Sequence, residues 1–281
     1  MPPMVTLFAS LSALTYGSAD FYGGLASRKS SATAVVAWSQ GVGLLTALLA
    51  APLMGTSFVE ASDIFWGIAA GLVGASGVGI LYRGLATGLA SVVSPMAALT
   101  GAVLPVFFGL ITGERPNLLT WCGISLALPA IILLSAEKEE KKDHVLQSLK
   151  MGFLSGIGFS GFFILIAQSG DNSGLWSLVA ARAATVPLFL IITLLRRHPL
   201  FLTRGSSIHA VLAGALDMAA NIFYLLATRT GFLVTAVVIT ALYPAPTVFL
   251  QRMVLQEKLS KSRVYGLILA IAGAAMIGIG G

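Results

Sequence analysis

Charge is what this sequence has least of. Of its 281 residues, 10% are charged and 57% are hydrophobic, and the mean hydropathy is +0.91. A soluble globular protein carries about 25% charged residues, so an ordinary water-facing surface is excluded and the chain reads as an integral membrane protein. There is one cysteine, Cys122, which excludes a disulfide framework. The three histidines (His144, His198 and His209) stand apart near segment ends and build no ligand cluster. Alternating strand patterns are missing, which excludes a membrane barrel. HExxH, nucleophile-elbow and Walker motifs are also missing, so the chain is not expected to be an enzyme and no cofactor is expected. The net charge of +6 comes without a basic patch interleaved with aromatics, so nucleic acid is not an expected partner. The string Gly156-x-Gly158-x-x-Gly161 matches a dinucleotide fingerprint only as letters. No strand precedes it and it lies inside an apolar run, so its glycines read as helix-packing positions.

What is present is a succession of apolar runs, each long enough for a membrane helix of about 20 residues. They predict ten spans: Met4–Ser27, Ala32–Met54, Ile64–Arg83, Ala90–Thr112 and Leu118–Ala136, then Leu149–Gln168, Gly174–Leu195, Ser207–Ala227, Phe232–Leu255 and Ser262–Gly280. The first run has no basic leader and exceeds a typical signal peptide, so it counts as a span. One long charged stretch, Glu137–Lys150, separates the two groups of five; its charges nearly cancel, as in a solvated connector. The expected organisation is a first five-helix repeat over 1–136, a linker over 137–148 and a second repeat over 149–281. Of the 17 Lys and Arg, all but Arg115, Arg229 and the intraspan Arg182 fall in loops that follow odd-numbered spans. By the positive-inside rule those loops and the linker are cytoplasmic, and both termini lie outside.

The halves resemble each other. Tyr82–Ser135 runs parallel to Tyr224–Gly278, anchored by Gly113-Glu114-Arg115 against Gln256-Glu257-Lys258. Tyr16-Gly17-Ser18-Ala19-Asp20-Phe21-Tyr22 likewise lines up with Ile157-Gly158-Phe159-Ser160-Gly161-Phe162-Phe163. With five spans per repeat, the second half enters the membrane upside down. Inverted repeats build alternating-access transporters, with the site at the repeat interface near the midplane. These features resemble the drug/metabolite transporter superfamily, and most closely its EamA-type branch, which includes the YddG-type amino-acid exporters. The resemblance implies an all-α basket of ten transmembrane helices around a central cavity. It also implies a multi-pass place in a bacterial inner membrane, a periplasmic location for both termini, and outward flow of a small-molecule substrate. Small neutral or aromatic amino acids are the first expectation for cargo, with drug cations or sugar conjugates as the alternative. A monomer in the lipid bilayer suffices for this. The membrane-embedded Glu that small multidrug exporters carry in their first helix has no counterpart in the first or sixth span here.

Ionisable groups inside spans are costly and mark function. Asp20 lies late in the first span, Arg182 in the first half of the seventh and Asp217 near the middle of the eighth. Asp217, Asn221 and Tyr224 are spaced i, i+4, i+7 and share one helix face. Such a polar stripe with an aromatic end suits a small zwitterion; the same stripe could also hydrogen-bond neighbouring helices. Tyr82 and Tyr224 align across the repeats, Tyr16 lies on the first span, and Tyr243 sits mid-span. Tyr16, Tyr82, Asp217, Asn221, Tyr224 and Tyr243 are therefore the expected substrate-binding residues. Pro95 and Pro105 in the fourth span, and Pro244 and Pro246 in the ninth, open helix backbone and are expected hinges. Rise per residue places Arg182 roughly 12 Å and Asp217 roughly 15 Å below the outer face, which predicts an Arg182–Asp217 ion pair. By repeat correspondence, Asp20 is expected beside Gln40. An intramembrane enzyme would need its acid and base at one depth, and Asp20 and Asp217 are placed at different depths.

Overall fold

The structure is a computed structural model that describes residues 2–54, 59–87, 89–135, 145–197, 199–256 and 258–280, with the side chains of 2, 3, 82, 85–87, 90 and 91 left out. Its long helices are α1 (Pro2–Ser27), α2 (Ala32–Ala50), α3 (Ala61–Thr87), α4 (Ala90–Ile111) and α5 (Leu118–Ser135) in the first half. The second half holds α6 (Val145–Ile166), α7 (Trp176–Leu195), α8 (Ser206–Thr230), α9 (Leu233–Thr240), α10 (Pro244–Leu255) and α11 (Lys261–Gly280). Among the described residues, nine spans are long and apolar enough to cross a membrane. The equally long α1 is the tenth helix; Ser10, Ser12, Thr15, Tyr16, Ser18 and Asp20 dilute its hydropathy. Leu49, Leu53, Phe65, Ile111, Leu118, Leu195, Ile271 and Ile279 project from the perimeter. An apolar belt of that extent on a folded chain fits lipid. Most of the connector, 136–144, lies outside the described residues.

Helix neighbours repeat across the two halves. α1 packs lengthwise on α8 as α6 packs on α3; α2 packs on α8 as α7 packs on α3; α4 lies on α6 as α9 and α10 lie on α1. The pairs α2–α7 and α5–α11 meet their own counterparts. This is the contact pattern of two repeats related by a twofold axis in the membrane plane. Small residues bring the backbones together. A Cβ on Gly71 would stand 2.6 Å from the carbonyl oxygen of Ala181, so α3 and α7 touch main chain to main chain, and a Cβ on Gly77 would stand 3.1 Å from the Cα of Gly158. Buried hydroxyls cross the same interfaces: Ser12 donates to the carbonyl of Ala220 (2.9 Å), Ser155 to that of Gly77 (2.9 Å) and Ser160 to that of Thr100 (2.9 Å). In hydrocarbon, where apolar burial drives little helix association, such packing and hydrogen bonding hold a bundle together.

The fourth span of each half differs from its counterpart. α4 runs unbroken through Pro95 and Pro105. The ninth span is broken by a turn over 241–243, between α9 and α10. Pro244 and Pro246 sit in the first turn of α10, where a missing N–H costs least. The break leans on α1 at Gly17, where a Cβ would collide with the Tyr243 carbonyl and the Pro246 ring. Thr247 Oγ1 bonds both the Gly17 carbonyl (3.0 Å) and the Tyr243 carbonyl (3.1 Å). By the register that pairs Glu114 with Glu257, Pro244 matches Gly101 and not a proline.

Candidate functional site

A cavity of about 310 Å³ lies between the repeats, walled by α1, α2, α3, α4, α6, α7, α8 and the break in the ninth span. Most of its wall is apolar or aromatic, including Phe159, Phe162, Phe163, Tyr16 and Tyr243. The Tyr16 ring stands 6.2 Å from that of Tyr243 and 6.4 Å from that of Phe163, edge-on in the second case. The polar part of the wall is concentrated on one side. Arg182 of α7 forms an ion pair with Asp217 of α8 through Nη2 and Oδ2, as the depth argument expects. Its Nη1 donates to Gln40 Oε1 on α2 (2.5 Å), and Thr185 Oγ1, one turn along from Arg182, donates to the same oxygen (2.7 Å). Three helices thus share one buried guanidinium. Arg182 is held along its length, whereas about a third of the Asp217 side chain faces the cavity.

Asn221 is one turn beyond Asp217. Its Nδ2 donates back to the Asp217 carbonyl (2.7 Å), while its buried Oδ1 has no hydrogen-bond partner. Asp20 also lines the cavity, and among the described residues its side chain has no hydrogen-bond or ion-pair partner. A second cavity of about 220 Å³ shares Asp20, Leu81, Ala97, Ala98, Phe159 and Tyr243 with the first. It extends to Leu134, Ser135, Gln251 and Arg263, at the ends of α5, α10 and α11 that lie on the linker side. The route from the central cavity therefore leads toward the linker face.

Polar ties link the helices and loops at the opposite face. Glu114, in the loop after α4, accepts from the backbone N–H of Leu233 (2.6 Å) and of Val234 (2.9 Å) and caps α9 from 119 residues away. This satisfies donors at the positive end of a short buried helix. Arg229 donates to the carbonyls of Gly174 (2.9 Å) and Gly170 (2.9 Å), and Asp63 Oδ1 accepts from the Gly170 N–H (2.7 Å).

The sequence expectations fare unevenly. Tyr16, Asp217, Asn221 and Tyr243 line the cavity, together with Asp20 and Arg182. Tyr224 does not: it is fully buried, its ring 4.6 Å from that of Phe163 and its hydroxyl donating to the Phe163 carbonyl (3.0 Å). The shared helix face holds, but α6 covers it at the height of Tyr224. Gln40 joins Arg182 and not Asp20, because the guanidinium reaches across α2 to it. The Tyr82 side chain lies outside the described residues. Sequence reasoning missed Phe159, Phe162 and Thr185; the first two fall in the stretch that aligns with Tyr16–Tyr22, and that alignment could have nominated them. Among the described residues, no group of three or more His, Cys, Asp and Glu could hold a metal ion.

Two inverted helical repeats around a largely apolar cavity with charged groups in its wall define a membrane transporter. The chain belongs to the EamA-like transporter family, which matches it twice, over residues 3–136 and 147–279. A crystal structure of another protein shares this fold: its TM-score is 0.75 at 17% sequence identity, covering 97% of this chain and 95% of that one. No curated protein is significantly similar in sequence.

Proposed function

We propose that this protein exports small amphipathic metabolites, foremost neutral or aromatic amino acids, across the bacterial inner membrane by alternating access. One observation carries the reading: the Arg182–Asp217 pair, with Gln40, Thr185 and Asn221, forms a polar wall in a cavity that is otherwise apolar and aromatic apart from Asp20. An amino acid has the complementary build. Its carboxylate can take the Arg182 fork bidentately in place of Asp217, and its side chain can lie among Tyr16, Phe163 and Tyr243. The volume, about 310 Å³, is at the small end of ligand sites, which disfavours sugar conjugates and other large cargo.

The direction rests on charge. Lys and Arg crowd the linker-side loops, which makes that face cytoplasmic. The open route on the same face then loads cargo from inside, and Glu114 on α9 seals the outside. Pro95, Pro105, Pro244 and Pro246 are the hinge positions, with the 241–243 break as the moving joint.

Proteoliposomes loaded with a panel of radiolabelled amino acids test this reading. Counterflow of at least one neutral or aromatic amino acid, at several times the empty-liposome rate, is the expected result. A complete panel with no counterflow, from protein that remains monodisperse, refutes the cargo assignment.

A further inference from the structure

We infer that Asp20 receives a protonated amine of the cargo, so that the transported species carries an ammonium group beside an aromatic or aliphatic body. The inference rests on the transport reading and adds a subsite to it.

The argument begins with charge. The central cavity is lined by one guanidinium, Arg182, and two carboxylates, Asp217 and Asp20. Arg182 and Asp217 neutralise each other, which leaves Asp20 as the unbalanced charge. Other acids have partners: Asp63 accepts from Glu60 and Gly170 N–H groups, Asp171 faces Arg229, and Glu114 caps α9. Asp20 forms no such contact among the described residues, although it lies about seven residues, roughly 10 Å, inside the linker-side end of α1. Asp20 is exposed to the cavity, so water solvates it when the cavity is empty and a cation entering the cavity can take the place of that water.

Position supplies the second step. Asp20 is common to both cavities, so it stands where cargo from the linker face enters the central chamber. The walls around that junction are Phe159, Tyr243, Leu81, Ala97 and Ala98, with Tyr16 one helical turn away on the same face of α1. Rings flanking an acid are the environment that an ammonium prefers, since it gains ring faces as well as the charge. Farther along the route the basic group is Arg263, at the linker-side mouth. The unpartnered Oδ1 of Asn221 offers an acceptor deeper in. In the inverted repeat the position of Asp20 is held by Gly161, which packs against Val73. The acid therefore serves one end of the cavity and is no element of the repeat scaffold.

Three probes that share a phenyl body test the site: phenethylamine, L-phenylalanine and 3-phenylpropanoate, bound to purified protein in nanodiscs and followed by intrinsic tryptophan fluorescence. Wild-type protein should bind the two amines at least ten-fold more tightly than 3-phenylpropanoate. Asp20→Asn should weaken both amines ten-fold or more and leave 3-phenylpropanoate unchanged, while Asp20→Glu retains amine binding. The wild-type ranking needs no variant and can overturn the inference alone, while Asp20→Ala beside Asp20→Glu locates the amine where Asp20→Asn folds poorly. Phenethylamine binding no better than 3-phenylpropanoate overturns the inference, as does an Asp20→Asn protein with wild-type amine affinity. Asp20→Asn that keeps amine binding but loses accumulation driven by a pH gradient also overturns it and makes Asp20 a proton site. Wild-type protein that binds the amines yet moves no amino acid refutes the cargo proposal and leaves the subsite standing.

Discussion

Removing Asp217 isolates a buried cation, and the structure sets how much that costs. Arg182 is held by Asp217 on one side and by Gln40 on the other, with its side chain 10% exposed. Losing one member of a buried pair costs about 3–5 kcal/mol in soluble proteins. Three facts reduce that figure here. Asp217 is one-third exposed to the cavity, so its interaction is partly screened; Gln40 remains as an acceptor; and interhelical polar contacts in membranes average only about 0.6 kcal/mol, with a maximum near 1.7. We therefore expect Asp217→Ala to destabilise by about 2 kcal/mol and Asp217→Asn, which keeps a hydrogen-bond acceptor, by about 1 kcal/mol. At roughly 2–4 °C per kcal/mol for a chain of this order, the apparent Tm in detergent should fall by several degrees for Ala and about half as much for Asn. The exchange Arg182→Asp with Asp217→Arg should recover most of the loss suffered by either single change, because the Gln40 amide can turn to donate to the new carboxylate. Fluorescence-detected size exclusion after a temperature ramp reads the wild type, Asp217→Ala, Asp217→Asn, the exchange mutant and its two single-change parents. An unshifted Tm for Asp217→Ala, or an exchange mutant no better than its worse parent, refutes the view that this pair holds α7 to α8.

Further outcomes follow from the same geometry. A cysteine placed in the Glu137–Lys150 connector, in a Cys122→Ser background, should resist an impermeant thiol reagent in intact cells and react after permeabilisation; labelling of intact cells reverses the assigned orientation. Glu114→Gln keeps one acceptor for α9 but loses the charge that complements its N-terminus, a change of about 1 kcal/mol. It should raise labelling of a cavity cysteine from the outer side about five-fold, and unchanged accessibility would remove Glu114 from the outer seal. Tyr224→Phe should leave transport intact and cost about 1 kcal/mol of stability through the lost bond to Phe163, whereas Tyr243→Ala should cut transport at least ten-fold. Equal transport by the two variants contradicts the placement of Tyr243 in the cavity wall.

Much of the fold was legible because a bilayer imposes a simple rule: each crossing needs an apolar run of set length, and such runs are visible without knowing what packs on what. The Arg182–Asp217 pair was legible for a related reason. Depth along a membrane helix is counted from its end, so two charges at one level on consecutive spans find each other. Tyr224 shows where such counting stops. The i, i+4, i+7 spacing places it on the face of Asp217 and Asn221, yet whether that face meets a cavity or another helix changes within two turns, and here Phe163 covers it. Glu114 was visible as an acidic residue of the repeat motif. Its partner, the start of α9, lies 119 residues away, and no local pattern reports a cap supplied by a different loop.

The prolines teach the most about mechanism, since they mark the fourth span in both halves and only one of those spans is broken. Pro95 and Pro105 stand ten residues apart and α4 absorbs both. Pro244 and Pro246 remove two donors within one turn, and the chain answers by stopping α9 and starting α10. Equivalent spans that differ in this way make the two ends of the bundle inequivalent: the unbroken α4 meets α9 at the face away from the linker, and the joint at 241–243 borders the cavity that extends toward the linker. In an exact inverted repeat the two fourth spans would have the same shape. Here the register gives them different chemistry, since Gly101 stands where Pro244 has its ring. Gly101 keeps its N–H and the helix runs on through it, whereas Pro244 withholds a donor where the ninth span turns. The break therefore belongs to the second repeat, and Gly101 in the unbroken α4 marks the matching level at which the first repeat carries no proline.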